Sequence, residues 1–372
     1  MMNEAIPAVT PLVRSLPATI PFVGPEAIER RTGVEFRARL GANESVFGPS
    51  PRVVEAMRQA ASESWSYGDP EVHELRLAIA RHHGLPPEAI SVGEGIDGLL
   101  GLLVRMTITP GDTVVTSFGG YPTFNYHVTG HGGVLVTVPY RDDAEDLDGL
   151  LAKAKQTRPK LLYFANPDNP TGSWHEADAV ERLILETPPE TILILDEAYG
   201  DLAPPSALPA ISLLRPNLVR FRTFSKAYGL AGIRVGYAVG DPSLIAQFDK
   251  VRNHFGISRV SQVAALAALS DQDYLRETVE RIAAARQRLS QIAVAAGLRP
   301  LASGTNFVAI DCGGDGAHAR RILEGVLRRG VFIRMPGTAP LDRLIRVTVG
   351  RDSELDLFAE ALSGALEEAH VR

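Results

Sequence analysis

Short apolar runs alternate with stretches of helical spacing through the middle of this sequence, and this alternation constrains the fold more than any other feature. Helix candidates such as residues 96–107 and 178–186 lie between most of the apolar runs. Many of the runs have no polar face, which is typical of strands covered on both sides. The pattern predicts an α/β layer, a mostly parallel sheet flanked by helices. Its predicted strands are residues 89–92, 113–117, 134–139, 160–164, 191–195, 218–223 and 235–239.

The texture of the chain changes after the last of these strands. Residues 242–255 and 260–296 are rich in Ala, Leu and Arg and predict two long helices. Short strands are predicted at 306–312, 331–334 and 344–349. This part of the chain therefore predicts a smaller α+β domain, joined to the sheet through a long helix.

The N-terminal region is rich in proline, which favours an extended arm over a packed element. Two amphipathic helices are predicted after it, at residues 51–64 and 71–83. We therefore predict an N-terminal arm with part of the small domain at 1–40, a large domain at 41–245 and a C-terminal small domain at 246–372. The prolines of the arm are Pro7, Pro11, Pro17, Pro21 and Pro25.

Composition limits the possible partners and the compartment. A formal charge of -6 over 372 residues argues against a nucleic-acid or anionic-membrane surface. Cys312 is the single cysteine, so an internal disulfide is excluded and a reducing compartment fits. Its strand-like surroundings favour a buried apolar role over that of a nucleophile. The sequence predicts no signal peptide, no membrane span and no metal site, and therefore a cytoplasmic protein.

One lysine stands out as a candidate for chemistry. Lys226 follows a hydrophobic strand, is flanked by Thr223 and Ser225, and has Arg234 eight positions further on. Hydroxyl groups and an arginine suit a phosphate, and burial or neighbouring cations make a lysine a good nucleophile toward carbonyls. A pyridoxal-phosphate site needs such a lysine beside such a cradle. From these residues alone, a structural loop lysine remains an equal alternative.

Three further motifs follow predicted strands. Asp196 ends an apolar run, where ligands bind in open α/β sheets, and its carboxylate could pair with a pyridine nitrogen, although a helix N-cap is the simpler explanation. Tyr199 could then bond the cofactor's phenolic oxygen. The glycine-rich helix start at residues 93–98 could bind phosphate through backbone amides, but it lacks the full dinucleotide-binding spacing. Turn chemistry alone explains residues 166–172.

Together these motifs resemble the fold-type I pyridoxal-phosphate aminotransferases of class I/II, and most closely the histidinol-phosphate aminotransferase group. The resemblance covers nearly the whole chain. Its most specific parts are Asn169-Pro170-Thr171-Gly172, Asp196-Glu197-Ala198-Tyr199 and Ser225-Lys226 with Arg234. It implies a fold-type I transferase with a large and a small domain, pyridoxal 5'-phosphate as cofactor, and a role in histidine biosynthesis.

The resemblance also implies a role for each matching residue at the cofactor. Lys226 would carry the internal aldimine and then move the proton between the substrate and the cofactor. Asp196 would pair with the pyridine nitrogen, and Phe124 would stack on the ring. Asn169 and Tyr199 would hold the phenolic oxygen. The cofactor phosphate would be held by backbone amides near Ile96 and Asp97, by Thr223 and Ser225, and by Arg234.

Other matching residues imply a partner and a substrate. Tyr67 matches a loop tyrosine that reaches the phosphate of the neighbouring subunit's cofactor, which implies a homodimer with shared active sites. Arg346 matches the arginine that binds the substrate α-carboxylate, and Asn43 lies in the segment that lines it. Arg334 falls where the histidinol-phosphate group places an arginine for the substrate phosphate, although a surface arginine on a strand is the simpler interpretation.

The substrate is the least constrained part of this prediction. The group usually has Ser-Asp-Glu or Ala-Asp-Glu where this chain has Ile96-Asp97-Gly98, and its stacking tyrosine corresponds to Phe124. Histidinol phosphate and 2-oxoglutarate are the first candidate pair. The alternatives are an aminotransferase for aromatic or other amino acids, a decarboxylase of the threonine-phosphate type on the same fold, or a non-catalytic binding module.

Overall fold

Strands group into three sheets in the computed structural model, which describes residues 8–17 and 22–371. Each of the longer strands is apolar enough that at least one of its two faces carries no charged side chain. The strands are β1 (Ala38–Arg39), β2 (Ile90–Gly93), β3 (Thr113–Ser117), β4 (Val134–Val138), β5 (Leu161–Ala165), β6 (Ile192–Asp196), β7 (Leu218–Thr223), β8 (Gly236–Gly240), β9 (Arg299–Pro300), β10 (Phe307–Asp311), β11 (Val331–Phe332) and β12 (Leu344–Thr348).

The largest sheet has seven strands in the order β2-β8-β7-β6-β5-β3-β4. β8 is antiparallel to both of its neighbours, and the remaining pairs are parallel. Ala165 on β5 is in register with Asp196 on β6, and Asp196 is in register with Phe221 on β7. The predicted α/β class with a mostly parallel sheet is confirmed, and the carboxyl ends of β5, β6 and β7 lie at one edge.

Helices cover both faces of this sheet and the outside of the smaller sheets. The described residues include no helix that is long and apolar enough to cross a membrane. The helices are α1 (Pro11–Ser15), α2 (Pro25–Thr32), α3 (Pro51–Ala61), α4 (His73–His83), α5 (Gly95–Thr107), α6 (Pro122–Gly130), α7 (Leu147–Thr157), α8 (Ala177–Glu186), α9 (Pro242–Ile245), α10 (Arg259–Ser270), α11 (Gln272–Ala295), α12 (Gly316–Arg328) and α13 (Asp352–Val371).

Successive residues of β3 show why its sequence is apolar throughout. Val114 packs into the core that contains Leu99 and Leu103 of α5, while Val115 packs into the core that contains Leu150 of α7 and Leu183 of α8. Because the side chains of a strand alternate between the two faces, a sheet covered on both faces requires such continuous apolar runs.

A second core surrounds the two smaller sheets. β10 lies between β12 and β9 with antiparallel pairing, and β1 pairs with β11 in parallel. Cys312 is buried in this core, and burial raises the pKa of its thiol to about 12, as expected for the predicted structural role. The apolar residues of α10 pack instead against β2 and β8 of the large sheet, beyond the predicted boundary at residue 246. The domain boundaries stay a prediction.

Three predicted elements have different forms in the structure. The helix predicted at 242–255 ends at Ile245, because the chain turns there to bury Phe248 completely. The helix predicted at 260–296 is two helices that meet at Asp271. The arm contains α1 and α2, each begun by a proline, because the fixed φ of proline suits the first turn of a helix. Pro7 and Pro21 lie outside the described residues.

Candidate active site

The predicted functional residues converge on the carboxyl edge of the large sheet. Asn169 follows β5, Asp196 ends β6, and Thr223 ends β7 just before Ser225 and Lys226. Because β5, β6 and β7 are parallel neighbours, residues far apart in the sequence meet at one edge, where open α/β sheets bind ligands. The sequence predicted a ligand-binding position at such an edge for Asp196, from its place at the end of an apolar run.

Lys226 lies inside the site rather than on the surface. Its Nζ donates a hydrogen bond of 3.0 Å to the backbone oxygen of Asn43 and lies 5.6 Å from the centre of the Tyr199 ring. Burial, and next the positive charge of Arg346, lower the pKa of Lys226 to about 8. A substantial neutral fraction is therefore present near physiological pH, as a nucleophilic or basic lysine requires.

Asp196 is a buried carboxylate with its bonds directed by neighbours. The hydroxyl of Tyr163 donates to Oδ2 at 2.7 Å, and the backbone N–H of Ala198 donates to Oδ1 at 2.9 Å. Burial raises the pKa of Asp196 to about 6, although both of these hydrogen bonds act in the opposite direction. A cation bound beside this carboxylate would favour its charged form.

Four polar side chains form two hydrogen-bonded pairs near Lys226. The Nδ2 of Asn43 donates to the Tyr199 hydroxyl at 2.8 Å, and Nη1 of Arg346 donates to Oδ1 of Asn169 at 2.6 Å. Arg346 also donates through Nη2 to the backbone oxygen of Gly41 at 3.2 Å. Burial raises the pKa of Tyr199, so its hydroxyl stays protonated. Tyr199 and Asn169 thus keep donor hydrogens that they do not spend on these bonds.

The start of α5 forms a cradle with the turn around Lys226. Gly95 has φ +75°, and a Cβ there would lie 2.6 Å from Nη2 of Arg234. A glycine therefore lets the guanidinium approach the first turn of the helix, where the amides of Ile96 and Asp97 have no partner within the helix. Arg234 also lies 4.0 Å from the Asp97 carboxylate.

The hydroxyls of Thr223 and Ser225 lie next to each other in this cradle. Thr223 Oγ1 donates to Ser225 Oγ at 2.9 Å, and both side chains are buried. With Arg234 and the helix start, they form a set of donors suited to a phosphate group.

Phe124 is not placed as predicted. It is fully buried and stacks on Tyr163 with ring centres 4.6 Å apart and an interplanar angle of 16°. The reason is that α6 begins at Pro122, which turns position 124 toward the α5 core. Tyr121, just before the helix, lies on the site side instead, and its hydroxyl donates to Oδ1 of Asp97 at 2.9 Å.

Arg334 lies beside Arg346, and their backbones form an antiparallel bridge. Its Nη2 donates to the backbone oxygen of Val23 at 3.0 Å, and its guanidinium lies 5.3 Å from the Phe22 ring and 5.5 Å from the Phe332 ring. Burial lowers the pKa of Arg334. It is therefore a partly desolvated cation held by aromatic rings, not an arginine on an open strand surface.

Tyr67 is the predicted site residue that the chain does not bring to this edge. Its side chain is 75% exposed and packs on Phe255 with ring centres 4.6 Å apart. Arg259 fixes the loop by donating to the backbone oxygen of Tyr67 at 2.9 Å.

Comparison with known proteins decides the family. Residues 38–362 match the family model described as aminotransferase class I and II. The chain belongs to this aminotransferase family. The match spans most of the chain, including every predicted site residue, so the resemblance seen in the sequence is confirmed.

Individual members of the aminotransferase family are similar over almost their whole length. Histidinol-phosphate aminotransferase 2 of Ralstonia nicotianae is 34% identical, with 99% of this chain and 98% of that protein covered. The histidinol-phosphate aminotransferase of an Anaeromyxobacter species is 36% identical, with coverage of 97% and 100%. The crystal structure of histidinol-phosphate aminotransferase from Sinorhizobium meliloti in complex with pyridoxal-5'-phosphate is 55% identical, with a TM-score of 0.95 and coverage of 98% and 99%.

Sequence reasoning missed several residues of this aminotransferase site. Tyr163 supports Asp196 from inside β5, and its position within an apolar run hid it among core residues. Phe22 reaches Arg334 from the N-terminal region, a contact with no local signal. Tyr121 lies three positions before Phe124, the residue predicted for this role, and Pro122 after it marks the helix start. Asn306 contacts Asn43 and Glu44 across the chain, again without a local signal.

Proposed function

We propose that this chain is a pyridoxal-phosphate-dependent aminotransferase, with histidinol phosphate and 2-oxoglutarate as the first substrate pair. The observation that carries the proposal is the buried Lys226, whose pKa is lowered to about 8 beside Tyr199 and Arg346. The similarity to the Sinorhizobium meliloti enzyme in complex with pyridoxal-5'-phosphate supports the same cofactor here.

The residues present fit this cofactor. Gly95 leaves room for Arg234 at the start of α5, and with Thr223 and Ser225 these groups offer a phosphate several donors. Asp196 offers a buried carboxylate to the protonated pyridine nitrogen. When bound, the cofactor supplies an electron-withdrawing ring that stabilises negative charge on the substrate α-carbon.

Lys226 is the proposed covalent anchor and proton carrier. In its neutral form Nζ can accept the proton from the substrate α-carbon, because burial makes the charged form costly. Tyr199 accepts a hydrogen bond from Asn43, which leaves its own O–H for the cofactor's phenolic oxygen. Asn169 accepts from Arg346 through Oδ1, which leaves its Nδ2 for the same oxygen.

Tyr121 replaces Phe124 in our proposal as the aromatic wall of the cofactor site. Phe124 has no exposed ring face, since Tyr163 covers it. Tyr121 is partly exposed and bonded to Asp97, which places its ring at the phosphate end of the site. We infer that stacking on the cofactor ring falls to Tyr121.

Two neighbouring arginines favour an anionic substrate. Arg346 and Arg334 both have a buried Nε without a partner among the described residues. An unsatisfied buried donor is unfavourable, so an incoming carboxylate or phosphate would gain by bonding it. Arg346, with Asn43 beside it, is assigned to the α-carboxylate of 2-oxoglutarate. Arg334 is assigned to the phosphate of histidinol phosphate, which carries no carboxylate, or to the second carboxylate of 2-oxoglutarate.

A homodimer is proposed on the evidence of an aromatic surface. Tyr67 and Phe255 pack on each other and are 75% and 52% exposed, and Trp65, two positions before Tyr67, is 85% exposed. Such exposed aromatic side chains are unusual on a surface in contact with water. A twofold dimer would cover this surface and let Tyr67 reach the partner's cofactor phosphate. We propose a cytoplasmic location, because a chain with a single cysteine fits a reducing compartment.

A half-reaction screen tests the proposed function. The cofactor-loaded chain is mixed with single amino donors, and its absorption is followed without any acceptor. Histidinol phosphate should convert the spectrum to the pyridoxamine form fastest, ahead of aromatic amino acids and glutamate, and 2-oxoglutarate should reverse the change. Release of carbon dioxide without an acceptor would overturn the aminotransferase proposal in favour of a decarboxylase. Conversion by neutral donors alone would overturn the role of Arg334.

A further inference from the structure

The Lys226 ammonium donates to the backbone carbonyl of Asn43, and several hydrogen bonds hold Asn43 in place. Asn43 has φ +55°, in the left-handed region that side chains other than glycine seldom adopt. Its oxygen accepts from Lys226 Nζ at 3.0 Å and from Nδ2 of Asn306 at 3.0 Å. Two donors from distant parts of the chain therefore meet at one oxygen.

Asn43 is also held at its other polar atoms. Its backbone N–H donates to Thr348 Oγ1 at 3.0 Å, and its Oδ1 lies 3.1 Å from the same hydroxyl, which donates to it. Its Nδ2 donates to Tyr199. These bonds fix the side chain and the N–H of Asn43, whereas Asn306 alone joins Lys226 at the carbonyl among the described residues.

The side chain of Asn306 makes its hydrogen bonds only to the backbone oxygens of Asn43 and Glu44 among the described residues. It is fully buried just before β10, and its Nδ2 also lies 3.3 Å from the backbone oxygen of Glu44. Its Oδ1 has no partner among the described residues. A buried amide oxygen without a partner is costly, and an apolar side chain of the same size would avoid that cost. The function of the amide therefore lies in its Nδ2 bonds.

We propose that Asn306 is a positioning residue for Lys226, because it fixes the Asn43 carbonyl as the resting acceptor for the lysine amine whenever Nζ is not bonded to the cofactor. The inference rests on the proposed function only in assigning a catalytic role to Lys226. The carbonyl defines where the free amine waits, and its bond to the ammonium stabilises the charged form against burial.

Several charged groups around Lys226 influence its pKa and must be considered in a test of this proposal. Arg346 and Arg234 lower its pKa, while Asp97 and Glu44 raise it, and Tyr199 faces it as a neutral ring. A substitution at Asn306 removes none of these charges, but it releases the backbone of Asn43 and Glu44 together. A change in the pKa of Lys226 would thus report on the backbone segment that holds the Asn43 carbonyl.

Competitive labelling of lysine amines in the full chain without cofactor measures this pKa directly. The chain has five lysines, so peptide mass spectrometry resolves each one, and Lys153, Lys155, Lys160 and Lys250 serve as internal references. Asn306→Leu removes both Nδ2 hydrogen bonds and keeps the branched shape and number of heavy atoms, and we expect it to lower the pKa of Lys226 by about half a unit to one unit. Thr348→Val is the matched control, because it releases Asn43 at its N–H and Oδ1 but not at its carbonyl, and it should shift the pKa by less than half as much.

Asn306→Ser provides a second variant if the leucine variant does not fold, since its hydroxyl is too short to keep both bonds and the same fall is expected. An unchanged pKa of Lys226 in a folded Asn306 variant would overturn the proposal, as would an equal shift in Thr348→Val. The measurement uses no cofactor and no substrate. A chain that failed to transaminate would therefore refute the proposed function, but it would leave the measured pKa of Lys226 and the role of Asn306 unaffected.

Discussion

The two halves of the candidate site are built differently. The cofactor half consists of Asp196, Tyr199 and Lys226, which come from adjacent strand ends and bond to fixed neighbours within the protein. The substrate half consists of Arg334 and Arg346, which bond to backbone oxygens of Val23 and Gly41 and retain a buried Nε without a partner among the described residues. The first half is positioned by hydrogen bonds within the protein, whereas the second has buried donors that are still available to an anion.

This difference predicts which half determines chemistry and which determines substrate. Groups that are already organised stabilise charge at a reacting centre without reorganisation. Guanidinium groups with spare donors discriminate among anions by the bonds they form. Substitutions in the cofactor half should therefore reduce the rate for every substrate, and those in the substrate half should alter the ranking of substrates.

Lys226→Ala should have the largest effect. We expect the rate with every amino donor to fall by at least about 10,000-fold, because both the covalent anchor and the proton carrier are lost. Single-turnover absorption measurements check this. Lys250→Ala removes an exposed lysine outside the site and should leave the rate unchanged. A Lys226→Ala chain that still transaminates at a measurable fraction of the original rate would contradict the assignment.

Phe124→Ala and Tyr121→Ala should separate the core from the aromatic wall. Phe124→Ala should lower the free energy of unfolding by about 3–5 kcal/mol, because it removes a fully buried ring. Tyr121→Ala should weaken cofactor binding by about 3- to 10-fold, the size of a lost aromatic contact, and destabilise the fold less. Thermal denaturation and cofactor titration measure the two quantities. If Phe124→Ala retained stability and lost the cofactor, the sequence-based assignment would be restored.

Substitutions of the two arginines should change the ranking of donors. Arg334→Leu should raise KM for histidinol phosphate by about 10- to 100-fold, because a charge-assisted hydrogen bond is lost, and should affect donors without a distal anion little. Arg346→Leu should raise KM for every donor or acceptor with a carboxylate. Steady-state kinetics with paired donors test both. Equal losses for neutral and anionic donors in Arg334→Leu would place Arg334 outside the substrate site.

The smallest expected effect is a pH dependence, which arises because Arg346 of the substrate half lowers the pKa of Lys226 in the cofactor half. Because the pKa of the Lys226 amine is lowered to about 8, the rate at which the chain without cofactor forms its covalent link to pyridoxal phosphate should rise as pH passes through about 8. The lowered pKa also means that the lysine's contribution to folding stability is present above its unfolded value near 10.5 and declines as pH falls to about 8. Arg346→Leu should raise the Lys226 pKa by a few tenths of a unit, since that arginine is the cation that lowers it most. The labelling experiment on lysine amines detects such a shift, and a fall in the pKa would contradict the charge coupling.

The sequence predicted the cofactor half well for a physical reason. Apolar strands end in polar motifs, and parallel pairing brings those ends together, so Asp196, Tyr199 and Lys226 lie at one edge. Their roles at the cofactor came from the resemblance to the family and stay predictions. The strand bounds of the large sheet agree to within one residue because its apolar runs are short and bounded by turns, whereas the two-residue strands β1 and β9 were not predicted. For the helices after residue 242, composition alone could not show that Phe248 is buried in a turn or that Asp271 separates two helices.

The substrate half depends on contacts between distant segments, which have no local signature. Phe22 meets Arg334, and Asn306 meets Asn43, across most of the chain. The choice between Tyr121 and Phe124 depended on the exact start of α6, since one position inside the helix faces the core and the position before it faces the site. A sequence motif gives residue types and their order, but it does not give the residue at which a helix begins or the direction in which each of its side chains then points.

Reduction of the cofactor-loaded chain with sodium borohydride, followed by peptide mass spectrometry, tests the central claim most directly. Borohydride converts a carbon–nitrogen double bond between a lysine and pyridoxal phosphate into a stable covalent link. We predict that the label lies on the peptide containing Lys226 and is absent from the peptides of the other four lysines. A label on another lysine, or no label on a chain that has bound the cofactor, would contradict the assignment of Lys226 as the reacting amine.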